Sequence, residues 1–308
     1  MVKKKKVRAL VLFSGGLDSL LAAKLLKEQG IEVVGITFKS YFFDESQAKK
    51  YAKQLGIPLK VVDISEEHFE IVKKPKYGYG RSMNPCIDCH VLMLKKAKEI
   101  MEKEGFDFIA TGEVLGERPM SQNRKALKIV EKESGLEGYL LRPLSAKLLE
   151  PTIPEKLGLV DRSKLLAIKG RSRKKQIELA KKFGLKYPQP SGGCILTDLN
   201  FGKKLKEVLE KRENLDANDI KLLRVGRHFW YECFKIVVGR NKEENEILKK
   251  LARDGDILIE FKKLRGPTTL VRKYCKKGRK KEAIEKAKEL TKRYSKYKNA
   301  KEFLIKEI

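Results

Sequence analysis

Val7-Arg8-Ala9-Leu10-Val11-Leu12-Phe13-Ser14-Gly15-Gly16-Leu17-Asp18-Ser19 is the stretch on which the reading of the fold turns. Its first seven residues form a compact apolar run with β-branched content, which reads as a buried strand of a parallel sheet. A Ser14-Gly15-Gly16 turn follows, and Leu17-Asp18-Ser19 opens a helix whose apolar residues recur through Leu20, Leu21, Leu25 and Leu26. Glycines let the backbone approach an anion closely, and serine hydroxyls donate hydrogen bonds to it. A helix N-terminus adds free N–H groups and partial positive charge, so the strand–turn–helix unit reads as a phosphate cradle. It is neither G-x-x-x-x-G-K-[ST] nor G-x-G-x-x-G.

The pattern continues outward. Residues 31–38 make a second strand, a helix ends near Leu55-Gly56, and Leu59 to Ile64 make a third strand. A helix over Asp88 to Lys103 leads to a strand from Phe106 to Thr111 that ends in Gly112. This alternation predicts an α/β domain with a doubly wound parallel sheet. Such sheets bind ligands beyond the carboxyl ends of their strands, where the Ser14 and Thr111 turns fall. A short strand at Tyr139 to Leu144 and a helix at Lys174 to Phe183 come next. Pro188-Gln189-Pro190-Ser191-Gly192-Gly193 then punctuates the chain, which places the first domain at residues 1–198. Residues 199–308 read as a smaller, basic α+β domain with a connecting helix over Phe201 to Arg212. Its strands are expected at Ile220 to Val225, Cys233 to Val238 and Ile257 to Glu260, with a C-terminal helix.

Composition narrows the function. The 308 residues carry 70 Lys+Arg against 41 Asp+Glu, a formal net charge of +29. At 41% hydrophobic the chain is too apolar for wholesale disorder. No apolar run approaches the ~18 residues of a spanning helix, so no membrane is expected. Met1-Val2-Lys3-Lys4-Lys5-Lys6 is basic, but a strand follows it rather than a cleavable signal core. Five cysteines do not make a secreted disulfide scaffold, which points to a reduced cytoplasm. A Lys/Glu-rich thermophile surface explains the charged fraction but not the imbalance. Residues 262–308 alone hold 18 Lys+Arg against 5 Asp+Glu, and such a surplus fits a polyanion, most simply nucleic acid.

Cys86-Ile87-Asp88-Cys89 is a C-x-x-C, with Cys194 following Ser191-Gly192-Gly193. Thiolates at i and i+3 face one centre when the turn is tight, and Pro85 helps to fix it. Three cysteines leave zinc one ligand short unless His90 completes the set. A [4Fe–4S] cluster on three thiolates leaves one iron open for chemistry. A persulfide or redox pair at Cys86 and Cys89 with Cys194 as nucleophile is the rival, and inert buried thiols are the bland reading. Cys233 and Cys275 read as structural, and His68 and His228 as surface or packing residues.

Ser14-Gly15-Gly16-Leu17-Asp18-Ser19 resembles the pyrophosphate-binding loop of the PP-loop ATP pyrophosphatases, which cleave ATP between the α and β phosphates. Thr111-Gly112-Glu113-Val114-Leu115-Gly116 with Ser121-Gln122, and Leu141-Arg142-Pro143-Leu144, resemble the tRNA thiouridine synthetase branch, over roughly residues 7–198. That branch usually opens with an RNA-binding THUMP region. Here the catalytic domain begins at once, and the basic second domain is expected to hold the RNA. Leu223 to Phe229, Lys235 to Asn241 and Gly266 to Leu270 resemble the NFACT-R type of RNA-binding domain, over about residues 200–298. In that domain Arg224, Arg227, Arg240 and Arg272 are candidate phosphate grips. Phe229, Trp230 and Tyr231 either stack on a base or pack under a basic face.

The resemblance implies a tRNA sulfurtransferase that adenylates a uridine carbonyl and replaces its oxygen with sulfur, as in 4-thiouridine. It implies ATP, Mg²⁺ and a [4Fe–4S] cluster as cofactors. Ser14, Gly15, Gly16, Asp18 and Ser19 would hold pyrophosphate, with Asp18 on Mg²⁺. Phe38 and Lys39 would lie beside adenine, and Thr111, Gly112, Gln122 and Arg142 would line the nucleotide. Cys86, Cys89 and Cys194 would carry the cluster. The partners implied are tRNA and a sulfur donor, sulfide or a persulfide carrier, with a homodimer allowed for. Two rivals stand beside it: a PP-loop ligase or amidotransferase-like enzyme that uses nitrogen, and an RNA-binding module with a degenerate nucleotide site.

Overall fold

β1 (Arg8–Leu12) occupies the middle of a sheet because its apolar residues have a layer to face on either side. Ala9, Val11 and Phe13 pack with Leu20, Leu26, Ala48 and Leu55, whereas Leu10 packs with Val91, Leu94, Ala97 and Val130. Burial on both faces is why the run is continuously apolar rather than alternating. The computed structural model describes residues 6–189, 194–212, 215–275 and 278–308. Contacts divide the chain into two units, Met1–Thr197 and Asp198–Ile308.

In the first unit β1 leads to α1 (Leu17–Lys27), β2 (Glu32–Lys39), α2 (Ser46–Leu55), β3 (Leu59–Asp63), α3 (Ser65–Lys73) and α4 (Cys86–Glu104). Then come β4 (Phe108–Thr111), α5 (Arg124–Ser134), β5 (Leu140–Leu141), α6 (Ile153–Lys156) and α7 (Lys174–Lys182). The five strands are all parallel in the order β3-β2-β1-β4-β5. Strand order reverses between β1 and β4, where Leu12 pairs with Thr111, so the ligand crevice of a doubly wound sheet opens beside both turns. Helix α4 ends just before β4 begins, which places its first turn, with Cys86 and Cys89, at the carboxyl edge of the sheet. The expected strand at 139–144 shrinks to two residues, since the Arg142 side chain is drawn into ion pairs and Pro143 lacks an N–H for the ladder.

The second unit runs α8 (Leu199–Leu209), α9 (Ala217–Leu222), β6 (Arg227–Tyr231), β7 (Phe234–Val238), α10 (Lys242–Leu251), β8 (Ile257–Phe261), β9 (Thr269–Lys273), α11 (Lys280–Arg293) and β10 (Phe303–Glu307). Its antiparallel sheet has the order β10-β8-β9-β7-β6. Ala283, Ala287 and Leu290 of α11 cover one face, while Leu222 and Leu248 pack against Val237, Leu258 and Leu270 on the other. The strand expected at 220–225 is instead the end of α9, which a capping box between Asp216 and Asp219 starts. Cys233 and Cys275, 42 residues apart, form a disulfide across paired β7 and β9, a link that their sequence spacing did not announce.

Arg272 corrects an expectation. It is 1% exposed rather than a surface phosphate grip. Its guanidinium binds Asp256 at 2.6 Å, Asp219 at 2.9 Å, Asn218 at 2.8 Å and the Leu251 carbonyl at 2.9 Å. Removing one partner of such a network strands buried charge. Arg272→Met is therefore expected to lower stability by about 3–5 kcal/mol. Urea unfolding read through Trp230, the single tryptophan of the chain, measures it. A loss below ~1 kcal/mol, the size of an exposed pair, would show that the network is dispensable.

Candidate active site

The turn after β1 leaves a helix start open. Gly16 is the N-cap of α1 and no side chain among the described residues caps it, so first-turn N–H groups are available to an anion. Ser19 Oγ donates to the Gly16 carbonyl at 2.9 Å, and Ser14 Oγ accepts from the Gly16 N–H at 3.3 Å, which keeps both hydroxyls at the turn. Gly15 has φ +76°, and a Cβ there would stand 2.6 Å from the Gln47 carbonyl oxygen. A Cβ on Gly112 would meet the Ser19 nitrogen at 2.5 Å. The loop is thus pressed between the start of α2 and the end of β4 at two points that only glycine allows, and the Ser14 and Thr111 turns come together as expected.

Asp18 faces a second carboxylate. Arg173, just before α7, lies 3.4 Å from Asp18 Oδ2 and 2.7 Å from Glu117, while Gln176 Nε2 donates to Glu117 at 3.2 Å. Burial, then Glu117, push the Asp18 carboxyl up to about 6, with Arg173 and Gln176 opposing. Asp18 Oδ1 and Gln176 Oε1 are buried without a hydrogen-bond partner among the described residues. Glu117, Arg173 and Gln176 were not singled out from the sequence. Glu117 lies inside the Thr111–Gln122 motif, but Arg173 is 155 residues from Asp18 in a run that reads as an ordinary basic helix face.

A buried network ties the Thr111 turn to α4. Glu113 accepts from Thr111 Oγ1 at 3.0 Å and from Arg142 Nε at 2.9 Å, and it lies 2.9 Å from His90 Nδ1. Burial would raise its carboxyl, but Arg142 and His90 outweigh that and hold it down at about 2. Arg142 also pairs with Glu131, so its guanidinium is used within the network rather than along the nucleotide crevice. Gln122 closes the 116–122 turn through the Arg118 and Gly116 main chain. Phe38 is 5% exposed in the core beside Ile64 and Ile87, and exposed Lys39 pairs with Asp63 at 3.0 Å. His68 is a packing residue, as expected: it lies buried between Phe42 and Phe43, and burial pushes it down to about 4.

The three thiols are neighbours. Burial first, then Cys194, Cys86 and Asp88, push the Cys89 thiol well above its ordinary value. All four influences oppose the thiolate, so an added cation is what would favour it. Asn84 Nδ2 lies 3.1 Å from the Cys86 sulfur, and Asp88 accepts from the Lys76 and Tyr77 N–H groups, which folds the 76–85 loop over the pair. Among the described residues no three His, Cys, Asp or Glu side chains converge on one metal ion, and His90 is turned to Glu113. A zinc site of three cysteines and His90 is therefore not formed. Ser191-Gly192-Gly193 before Cys194 lies outside the described residues.

Residues 7–182 match the family model of the tRNA methyl transferase HUP domain, and residues 226–307 match the NFACT protein RNA binding domain. The tRNA-specific 2-thiouridylase MnmA 1 of Clostridium tetani is 33% identical over 285 residues, covering 84% of this chain and 73% of that protein. MnmA of Caldicellulosiruptor saccharolyticus is 33% identical over 240 residues, covering 68% and 61%, so the chain spans less than two thirds of that relative. MnmA of Karelsulcia muelleri is 30% identical over 263 residues, covering 79% and 65%. A crystal structure of a 4-thiouridine synthetase–RNA complex with bound ATP aligns at a TM-score of 0.42 and 21% identity, over 58% of this chain and 41% of that one, too distant to bear on function.

Proposed function

Since the chain belongs to the tRNA methyl transferase HUP domain family, we propose that it is an ATP-dependent tRNA sulfurtransferase of the cytoplasm that converts a uridine carbonyl to a thiocarbonyl. The observation that carries this reading is the meeting, at one edge of the sheet, of an uncapped helix start, a partly buried pair of carboxylates and three neighbouring cysteines. The thiouridylase relatives and the surplus of positive charge support tRNA as the substrate.

The first-turn N–H groups of α1, with Ser14 and Ser19, bind the β and γ phosphates of ATP, and Gly112 keeps the β4 turn flush against them. Asp18 would hold Mg²⁺, since its buried Oδ1 is an oxygen without a donor beside the cradle. The uridine oxygen attacks the α phosphorus, the bond to the β phosphate breaks, and pyrophosphate leaves. Sulfide sulfur then attacks the activated carbon; the C–S bond forms, the C–O bond breaks, and AMP carries the oxygen away. Cys86, Cys89 and Cys194 would hold a [4Fe–4S] cluster, whose open iron would supply a binding site for the incoming sulfide. The chemistry of the donor set fits such a group, since burial, the neighbouring thiols and Asp88 all oppose the Cys89 thiolate and only an added cation would favour it. Thr111 and Glu113, locked to His90 on α4, keep the thiol helix in register with the nucleotide turn.

Nucleoside mass spectrometry of tRNA incubated with the chain, ATP and sulfide under anoxia tests the proposal. Thiouridine with stoichiometric pyrophosphate is expected, and 2-thiouridine and 4-thiouridine are resolved as separate species. No tRNA-stimulated pyrophosphate release from anaerobically prepared protein would overturn it. Iron and acid-labile sulfide analysis decides the cluster separately: protein that thiolates in this assay with neither uses free sulfide as the nucleophile and holds no cluster.

A further inference from the structure

The second unit gathers positive charge around its single tryptophan. Trp230 on the edge strand β6 pairs with Lys235 on β7, and the indole covers the Lys235 ammonium at 4.4 Å. Lys235 is fully buried, and its Nζ has no hydrogen-bond partner among the described residues. Among the described residues, Glu207 lies 3.9 Å from it and already accepts from Trp230 Nε1 at 3.2 Å. Lys211, exposed on the turn after α8, brings a second ammonium over the same ring at 5.0 Å.

Other cations crowd in. Lys204 on α8 is pushed below its ordinary value by burial, then by Arg240. His228, two residues before Trp230 on β6, is held neutral by burial, then by Lys204 and Lys235. Its Nε2 faces the Val225 carbonyl at 2.8 Å, and its Nδ1 is buried without a hydrogen-bond partner among the described residues. Glu244, the other nearby carboxylate, is bound to Arg240. A buried ammonium without a hydrogen bond destabilises a fold, and a ring quadrupole offsets only part of that. Crowded cations around a half-buried aromatic make an attractive field for an anion that carries its own π-face.

We propose that Trp230, with Lys204, Lys211 and Lys235 around it, is a subsite for one unpaired nucleotide of RNA. The base stacks on the indole in place of the exposed Lys211, and its phosphate is held by Lys211 and by Lys204, whose Nζ donates to the Leu223 carbonyl at 3.2 Å in the free chain. Lys235 lies beneath, fixes the ring and adds to the field. This rests on the RNA reading above, yet it concerns binding alone, without ATP or sulfur.

Because Trp230 is the only tryptophan, intrinsic fluorescence of the full chain reads this site directly. Titration with tRNA should quench it saturably, with an affinity that falls steeply with salt. Inorganic pyrophosphate at equal phosphate concentration should not. Lys204→Gln with Lys211→Gln should weaken tRNA binding about 10-fold and flatten the log–log salt slope by about two. By filter retention Trp230→Leu should weaken binding about 10-fold, and Trp230→Phe should restore most of it. The proposal fails if tRNA is retained with no change in fluorescence, if both lysine changes leave affinity and slope intact, or if tRNA does not bind. Equal quenching by pyrophosphate also overturns it, since the site would then take any small phosphate. Intact pyrophosphate release beside a failed fluorescence test would sink this subsite and leave the sulfurtransferase standing.

Discussion

Asp18→Ala is expected to bring tRNA-stimulated pyrophosphate release down to the tRNA-free rate, a fall of at least about 10³-fold. Preorganised groups aimed at developing charge are each worth about 10²–10³-fold, and Asp18 combines such a position with the proposed Mg²⁺ contact. The same change is not expected to weaken the fold. Burial and Glu117 raise the Asp18 carboxyl to about 6 from an ordinary value of 3.8, so the folded chain binds that proton more tightly than the unfolded chain does. Its contribution to stability is therefore fully present below the unfolded value and is lost as pH rises through about 6. At neutral pH an alanine removes a burden, and the melting temperature should hold or rise while activity vanishes. The acid limb of kcat/KM for the wild type should fall near pH 6, where protonation takes the carboxylate out of use. A variant that loses activity and unfolds together would make Asp18 structural instead.

Cys194→Ala should divide the reaction in two. Adenylation needs the phosphate cradle and the uridine oxygen but no thiol, so tRNA-stimulated pyrophosphate release should stay within about twofold of wild type. Thiouridine should fall below detection, since two remaining cysteines cannot do the work of three. Cys194 is held at its own turn, where its carbonyl accepts from the Thr197 N–H at 2.9 Å and from Thr197 Oγ1 at 2.7 Å. The chain should also retain less iron, measured on anaerobic protein, if the three thiols share a cluster. Equal loss of pyrophosphate release and thiolation would show that Cys194 supports the nucleotide site, and the division of labour would fail.

Much of the first unit was legible because local and global preferences agree there. A continuous apolar run, a serine–glycine turn and an amphipathic helix specify a buried strand feeding a helix, and the structure has that unit at Arg8–Lys27. The second unit was harder to read. Ile220 to Val225 is apolar enough for a strand, but six residues cannot separate strand from helix by period, and the Asp216 cap decided for helix. β6 and β9 were missed as strands because their arginines and aromatics look solvent-facing when read alone. Arg272 shows why: a residue type that usually lies outside is tolerated inside once Asp219 and Asp256 arrive from distant elements.

For the site, the residue types around the anion cradle were written in the local sequence, since helix starts, glycine turns and serine hydroxyls act over a few neighbouring residues. What the fold alone decided were the charge partners. Glu117 and Arg173 reach Asp18, Arg142 turns to Glu113, Cys194 comes to Cys89, and Trp230 lies over Lys235. Electrostatic and packing energies depend on separation in space, which strand order and helix crossings set, and no spacing along the chain encodes those distances.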